Sequence, residues 1–162
     1  MERHYIVDPG KCIICSGTSV LLLVLACCMV PVQRPGSAVI FAVIGIVFAA
    51  LAVLYGSVVH IGPDEVRRTI AGRCVGRLRR EQIREVGVAG SNLFHRNNPN
   101  KTGTLYIYFS ERSMTEDDRF EMMLNWPPKH GIYLTYDSQR MDFIAPLWDR
   151  PVETFNAGDI TV

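Results

Sequence analysis

No charged side chain falls between Cys12 and Gln33, and none between Pro35 and Val59; Arg34 stands alone in that whole stretch. Without an Asp, Glu, Lys or Arg inside either run, there is nothing to carry a proton, line an ion path or act as a gate. Also missing are a phosphate-cradling glycine loop, a nucleophile elbow and a zincin helix, so the sequence spells out no catalytic residue and calls for no cofactor. Cysteine is sparse: Cys12, Cys15, Cys27 and Cys28 cluster in the first run and Cys74 follows alone. Cys12-Ile-Ile-Cys15 has redox-pair spacing, but a thioredoxin-type motif needs a strand before it, and here the pair opens an apolar helix. Two cysteines with only His4 nearby do not make a structural zinc site, which takes four ligands. The expected metal set is therefore none.

What the sequence does contain is a pair of apolar runs of spanning length. As helices rising about 1.5 Å per residue, residues 13–32 and 38–59 each reach roughly 30 Å, the thickness of a bilayer's hydrocarbon core. The predicted plan is a tail at residues 1–12, transmembrane helices at 13–32 and 38–59, a turn at 33–37, and a soluble domain at 61–162. Val24-Leu25-Ala26-Cys27 approaches a lipoprotein cleavage box. Leu25 is large for that box, however, and the chain after Cys27 leads into another span rather than a polar tether.

Charge is unevenly placed. Residues 61–90 hold seven arginines against Asp64, Glu65, Glu81 and Glu85, while residues 91–162 hold seven basic and ten acidic side chains. Six of those arginines, from Arg67 to Arg80, follow the second run closely, against Arg34 alone in the turn, so the positive-inside rule predicts cytoplasmic N- and C-termini in a two-span cell-membrane protein. Arg73, Arg77, Arg79 and Arg80 are the candidate contacts for anionic headgroups. Nearby carboxylates and a net charge of only +1 argue against nucleic acid.

The second run carries a packing pattern. Ala38, Ala42, Gly45, Ala49, Ala52 and Gly56 alternate at spacings of four and three, a seven-residue repeat that predicts a left-handed crossing. In lipid, helices associate through close approach along such small residues. Cys12, Ser16, Ser19 and Ala26, with Leu23, offer a partial answering face on the first run. The same groove could instead receive another membrane protein or a second copy.

Beyond residue 60 the pattern turns β-rich. Strands are predicted at Glu65–Ile70 and Cys74–Leu78 around an Ala71-Gly72 turn, and Ile83 to Val88 forms another, with Val86 and Val88 on one face. Ser91 to Gly103 reads as a loop. Leu105 to Phe109 is predicted as a central strand with Leu105, Ile107 and Phe109 toward the core and Tyr106 and Tyr108 on the other side. Thr115 is placed to cap a helix containing Phe120, Met123 and Leu124, which explains Glu116, Asp117 and Asp118 as dipole partners rather than metal ligands. After the Trp126 to Gly131 turn comes a strand at Ile132 to Tyr136. A helix capped by Asp137 or Ser138 follows and ends near Pro146, and Phe155 joins a last strand.

Strand, glycine turn, strand, then Arg80-Glu81-Gln82-Ile83-Arg84-Glu85-Val86-Gly87-Val88, all behind paired apolar helices, resembles bacterial pleckstrin-homology-like (PH-like) domains. The likeness covers about 30 residues and the hairpin; the helix expected after the central strand departs from a seven-stranded barrel with one C-terminal helix. The resemblance implies an α+β fold, a PH-like barrel or roll with two short helices, serving as a non-enzymatic binding or scaffolding module. Its partners would be the bilayer, anionic headgroups or a membrane protein, with Tyr106, Tyr108 and Trp126 as an aromatic contact surface. Two other readings stand beside it: an accessory subunit held in a larger membrane complex, and a membrane enzyme using His4, His60, His95 or His130.

Overall fold

A computed structural model describes residues 2–32, 35–91, 105–119 and 131–157. It is α+β, with two long apolar helices near the N-terminus and a β-rich remainder. Its contacts divide it into a helical unit, Ile6–Val58 with Ile70–Arg73, and a second unit containing the rest.

The helical unit consists of α1 (Pro9–Met29) and α2 (Pro35–Tyr55). Their ends are set by caps rather than by hydropathy. Asp8 accepts from the Lys11 backbone N–H at 3.0 Å and Pro9 follows it, so α1 begins four residues before the apolar run predicts. Lys11 Nζ lies 3.2 Å from the same carboxylate, which is buried. The N–H groups of Val7 and Asp8 donate to the carbonyls of Ser57 and Tyr55, closing the pair at that end. The second helix starts at Pro35 rather than Ala38 and stops at Tyr55; Val58 and Val59, expected in the helix, are strand residues. Both helices have 21 residues and are long and apolar enough to cross a membrane.

Among the described residues, the β-rich unit contains two four-stranded sheets. The first has the order β1 (Arg3–Ile6), β2 (Val58–Ile61), β3 (Glu65–Ile70), β4 (Arg73–Arg79). Arg3–Ile6, read from the sequence only as part of a tail, is thus an edge strand. Between β3 and β4, Ala71 and Gly72 both adopt positive φ, +48° and +79°, the combination a two-residue type I′ turn requires.

The second sheet has the order β7 (Ile132–Thr135), β6 (Leu105–Ser110), β5 (Glu85–Ser91), β8 (Glu153–Ala157). Here β5 pairs antiparallel with β6 and parallel with β8, and Val86 and Val88 face Phe109 and Ile107. Val86 and Phe109 line one small cavity with Ile61 and Val66 of the first sheet and with Ile144, all five side chains being buried, so the core lies between the sheets. Ile144 comes from the helix Ser138–Ile144, capped by Asp137, whose carboxylate accepts from the Gln139 N–H at 2.9 Å. Pro146 lies in the 3-10 turn Ala145–Leu147 that ends it.

Central placement of β6 agrees with the sequence, but the tyrosine side of that strand does not face solvent. Tyr106 and Tyr108 are buried, which rules them out as a contact surface. Residues 116–119 are helical, and Thr115 caps them, its hydroxyl accepting from the Asp118 N–H at 3.2 Å. Phe120, Met123, Leu124, Trp126, His95, His130 and the Ser91 to Gly103 loop beyond Ser91 lie outside the described residues.

Candidate functional site

The residues singled out in the helices do come together. Ala38, Gly45 and Ala52 are buried on α2, and Cys15, Ser19 and Ala26 on α1. Ser19 Oγ donates to the Gly45 carbonyl at 2.9 Å, a buried bond between helices. A β-carbon at Gly45 would sit 3.1 Å from Leu23, and one at Gly56 would sit 3.0 Å from Cys12 Sγ, so both glycines permit close approach. Ala42, Ala49 and Gly56 are partly covered. Ser16, by contrast, is exposed, and Cys15 occupies the face in its place. The groove on α2 is therefore filled by α1 of the same chain.

The outer faces of both helices remain apolar and uncovered: Ile13 is 73 % exposed and Ile46 62 %.

The arginines proposed for anionic contacts are all exposed. Arg77 and Arg79 share one face of β4, by the two-residue alternation of a strand, and Arg80 follows in a 3-10 turn. They are not bare cations. Arg77 Nε lies 3.3 Å from Glu65, and Arg79 and Arg80 line an open groove with Asp64, Glu81 and Asp149. Arg73 opens the same strand but belongs to the helical unit.

Two polar clusters were not legible in the sequence. The first joins Glu2 and His4, at either end of a two-residue step into β1, to His60 on β2 and Arg67 and Thr69 on β3. The His4 and His60 rings meet edge to face at 4.5 Å. His60 Nε2 is 3.1 Å from Thr69 Oγ1, and His60 Nδ1 is 3.5 Å from Glu2 Oε1, which also accepts from Arg67 Nη2 at 3.0 Å. Burial holds the His60 imidazole below its ordinary pKa, and the charges of Arg67 and His4 act the same way against the opposing pull of Glu2. The sequence signal was a His two residues after a Glu; its partner lies 56 positions on, across both helices.

The second cluster surrounds Glu85, which is buried at the start of β5. Tyr108 Oη donates to Glu85 Oε1 at 2.6 Å and Arg119 Nε to the same oxygen at 3.1 Å, while the Met114 N–H donates to Oε2 at 2.8 Å. Burial and the Glu85 hydrogen bond raise the Tyr108 pKa well above its ordinary value. For Arg119, burial works toward a lower pKa, but the hydrogen bond and charge of Glu85 outweigh it and the pKa is raised. Through these bonds the cluster fastens residues 113–119 over the tyrosine face of the sheet.

No protein-family model, curated protein or solved structure matches the chain.

Proposed function

We propose that the chain is a two-span cell-membrane protein whose β-rich unit is a non-enzymatic binding or scaffolding module at the cytoplasmic face. The observation that carries this reading is the contrast across the helix pair. Small side chains and the Ser19–Gly45 bond fill the inside, while Ile13, Ile14, Leu21 and Ile46 stand outward. A patch of that character is stable only against lipid or another apolar surface. Arg67 to Arg80 behind α2 support a cytoplasmic position for the module. A PH-like kinship is supported by a four-stranded sheet, three further strands and then a helix. Two features depart from it: β1 precedes the helices, and β8 adds a parallel edge strand.

The test uses Cys74, the cysteine outside both helices, which is exposed. The protein should resist alkaline carbonate extraction from membranes, and Cys74 should react with a membrane-impermeant maleimide only after the cells are opened. Release by carbonate sinks the spanning anchor; labelling in intact cells reverses the orientation.

Arg77, Arg79 and Arg80 are the proposed contacts for anionic headgroups, each contributing about 1 kcal/mol near such a surface. Because β1 and β2 complete the first sheet, a fragment starting at residue 61 lacks β1 and all of β2 but Ile61, and the full chain is required. In nanodiscs, amide protection across residues 77–82 should rise when neutral lipid is replaced by anionic lipid. Equal protection in both lipids, or a rise that persists in Arg77→Gln/Arg79→Gln/Arg80→Gln, removes the lipid role.

A further inference from the structure

We infer that Glu2, His4 and His60 form a binding site for a divalent transition-metal ion of the zinc class, which clamps the N-terminal strand onto β2. The inference stands on geometry. One ligand atom from each of the three residues can be chosen so that all lie within 4.8 Å of one another. The His60 Nδ1 to Glu2 Oε1 separation of 3.5 Å is outside good hydrogen-bond geometry, and Nδ1 is buried without a hydrogen-bond partner. Two ligand atoms each about 2.0–2.1 Å from a tetrahedral zinc ion lie roughly 3.4 Å apart, so an ion fits that gap where a hydrogen bond does not. Glu2 and His4 are exposed and free to close the remaining distance by rotamer changes.

The surroundings fit an ion of this kind. Thr69 Oγ1 lies 3.1 Å from His60 Nε2, so the imidazole N–H can rest there and turn the Nδ1 lone pair toward Glu2, as a ligating histidine ordinarily requires. Arg67 donates to the Glu2 carboxylate, the outer-shell bond that ligating carboxylates usually keep. Two imidazoles and one carboxylate suit zinc, cobalt or nickel; calcium and magnesium want more oxygen ligands than this site has. Exposure of Glu2 and His4 leaves room for water as the fourth ligand.

The test is a Co2+ titration of the full chain in detergent micelles, without a polyhistidine tag and stripped of metal by chelator. One equivalent is expected to bind with tetrahedral d–d absorption and no thiolate charge-transfer band, to be displaced by Zn2+, and to raise the melting temperature. His4→Ala and Glu2→Gln, at exposed positions and with unchanged circular dichroism, should each weaken binding by about tenfold or more. Cys12→Ser/Cys15→Ser should bind as the parent does. Absence of binding at millimolar Co2+, equal affinity in His4→Ala and Glu2→Gln, or loss of the signal in the cysteine variant would each overturn the site.

Discussion

Tyr108 lies across Gly87, its register partner on β5, so closely that a β-carbon at Gly87 would overlap the phenol ring and hydroxyl. The missing side chain lets the ring lie flat along β5 and reach Glu85, two residues back, with its hydroxyl. One glycine thereby makes room for a tyrosine, and the tyrosine holds a buried carboxylate.

Gly87→Ala should therefore destabilise the β-rich unit by about 2–3 kcal/mol, since the neighbouring ring is itself buried and its hydroxyl is held by Glu85. Urea unfolding followed by tyrosine fluorescence reads this. A change below about 0.5 kcal/mol, the level of an ordinary surface substitution, would show that the ring moves aside freely.

Removing Glu85 leaves Arg119, whose side chain is 14 % exposed, with only the half-exposed Glu153 carboxylate at 3.8 Å in place of its buried partner. Glu85→Ala is expected to cost about 3–5 kcal/mol, and Tyr108→Phe, which deletes one hydrogen bond, about 1–3 kcal/mol. Glu85→Ala/Arg119→Met should recover part of the larger loss. A double mutant no more stable than Glu85→Ala alone would mean that the stranded charge is not the cause.

The strands with a clear alternation, β3 to β7, were readable from local pattern alone, and so were the caps at Thr115 and Asp137. Val86 and Val88 declared one face of β5 correctly. Nothing local declared that Glu85 and Gly87 on the other face would also be covered, because the cover comes from residues 113–119 and the signal is spread over some 30 positions. Likewise, a hydropathy run cannot show that Asp8 and Pro9 start α1, or that Val58 and Val59 leave α2 for a strand. The Glu2, His4 and His60 grouping depends on a strand pairing that brings His4 to His60 across 55 intervening residues of chain, which no spacing rule contains.

Ala71 pays a backbone cost at φ +48° in the β3–β4 turn. Ala71→Asn, which creates the Asn-Gly pair favoured in type I′ turns, should stabilise the protein by roughly 1 kcal/mol. Thermal melting checks it, and a lowered melting temperature would mean that Ala71 makes a contact worth more than its strain.

Within the helix pair, Ser19→Ala should cost about 0.6 kcal/mol and at most about 1.7, the range for hydrogen bonds between helices in bilayers. Gly45→Leu should cost more, because Leu23 sits 3.1 Å from the first added carbon. Steric trapping in bicelles orders the two variants. The reverse order would show that the bond, and not close approach, holds the helices.

His60 has a lowered pKa, so the unfolded chain binds its proton more readily than the fold does. Its contribution is complete above the ordinary value of about 6.5 and is lost as pH falls from there through the folded pKa. With chelator present, stability measured between about pH 5 and pH 8 should decline on the acid side, and His60→Gln should flatten that decline. An unchanged slope in His60→Gln would assign the titration to another group.

The strand Arg3–Ile6 is made before both helices and finds its neighbour, Val58–Ile61, only after both. During synthesis it must wait for some fifty residues, and in a bilayer the two strands can meet only if both helices cross or neither does. A chain that inserted a single helix would strand its first and last segments in different compartments, with β2 left as an open edge. On the two-span reading proposed above, pairing of Arg3–Ile6 with Val58–Ile61 would serve as a proofreading step on insertion, because the sheet can be completed only when the hairpin has returned to the side from which it started.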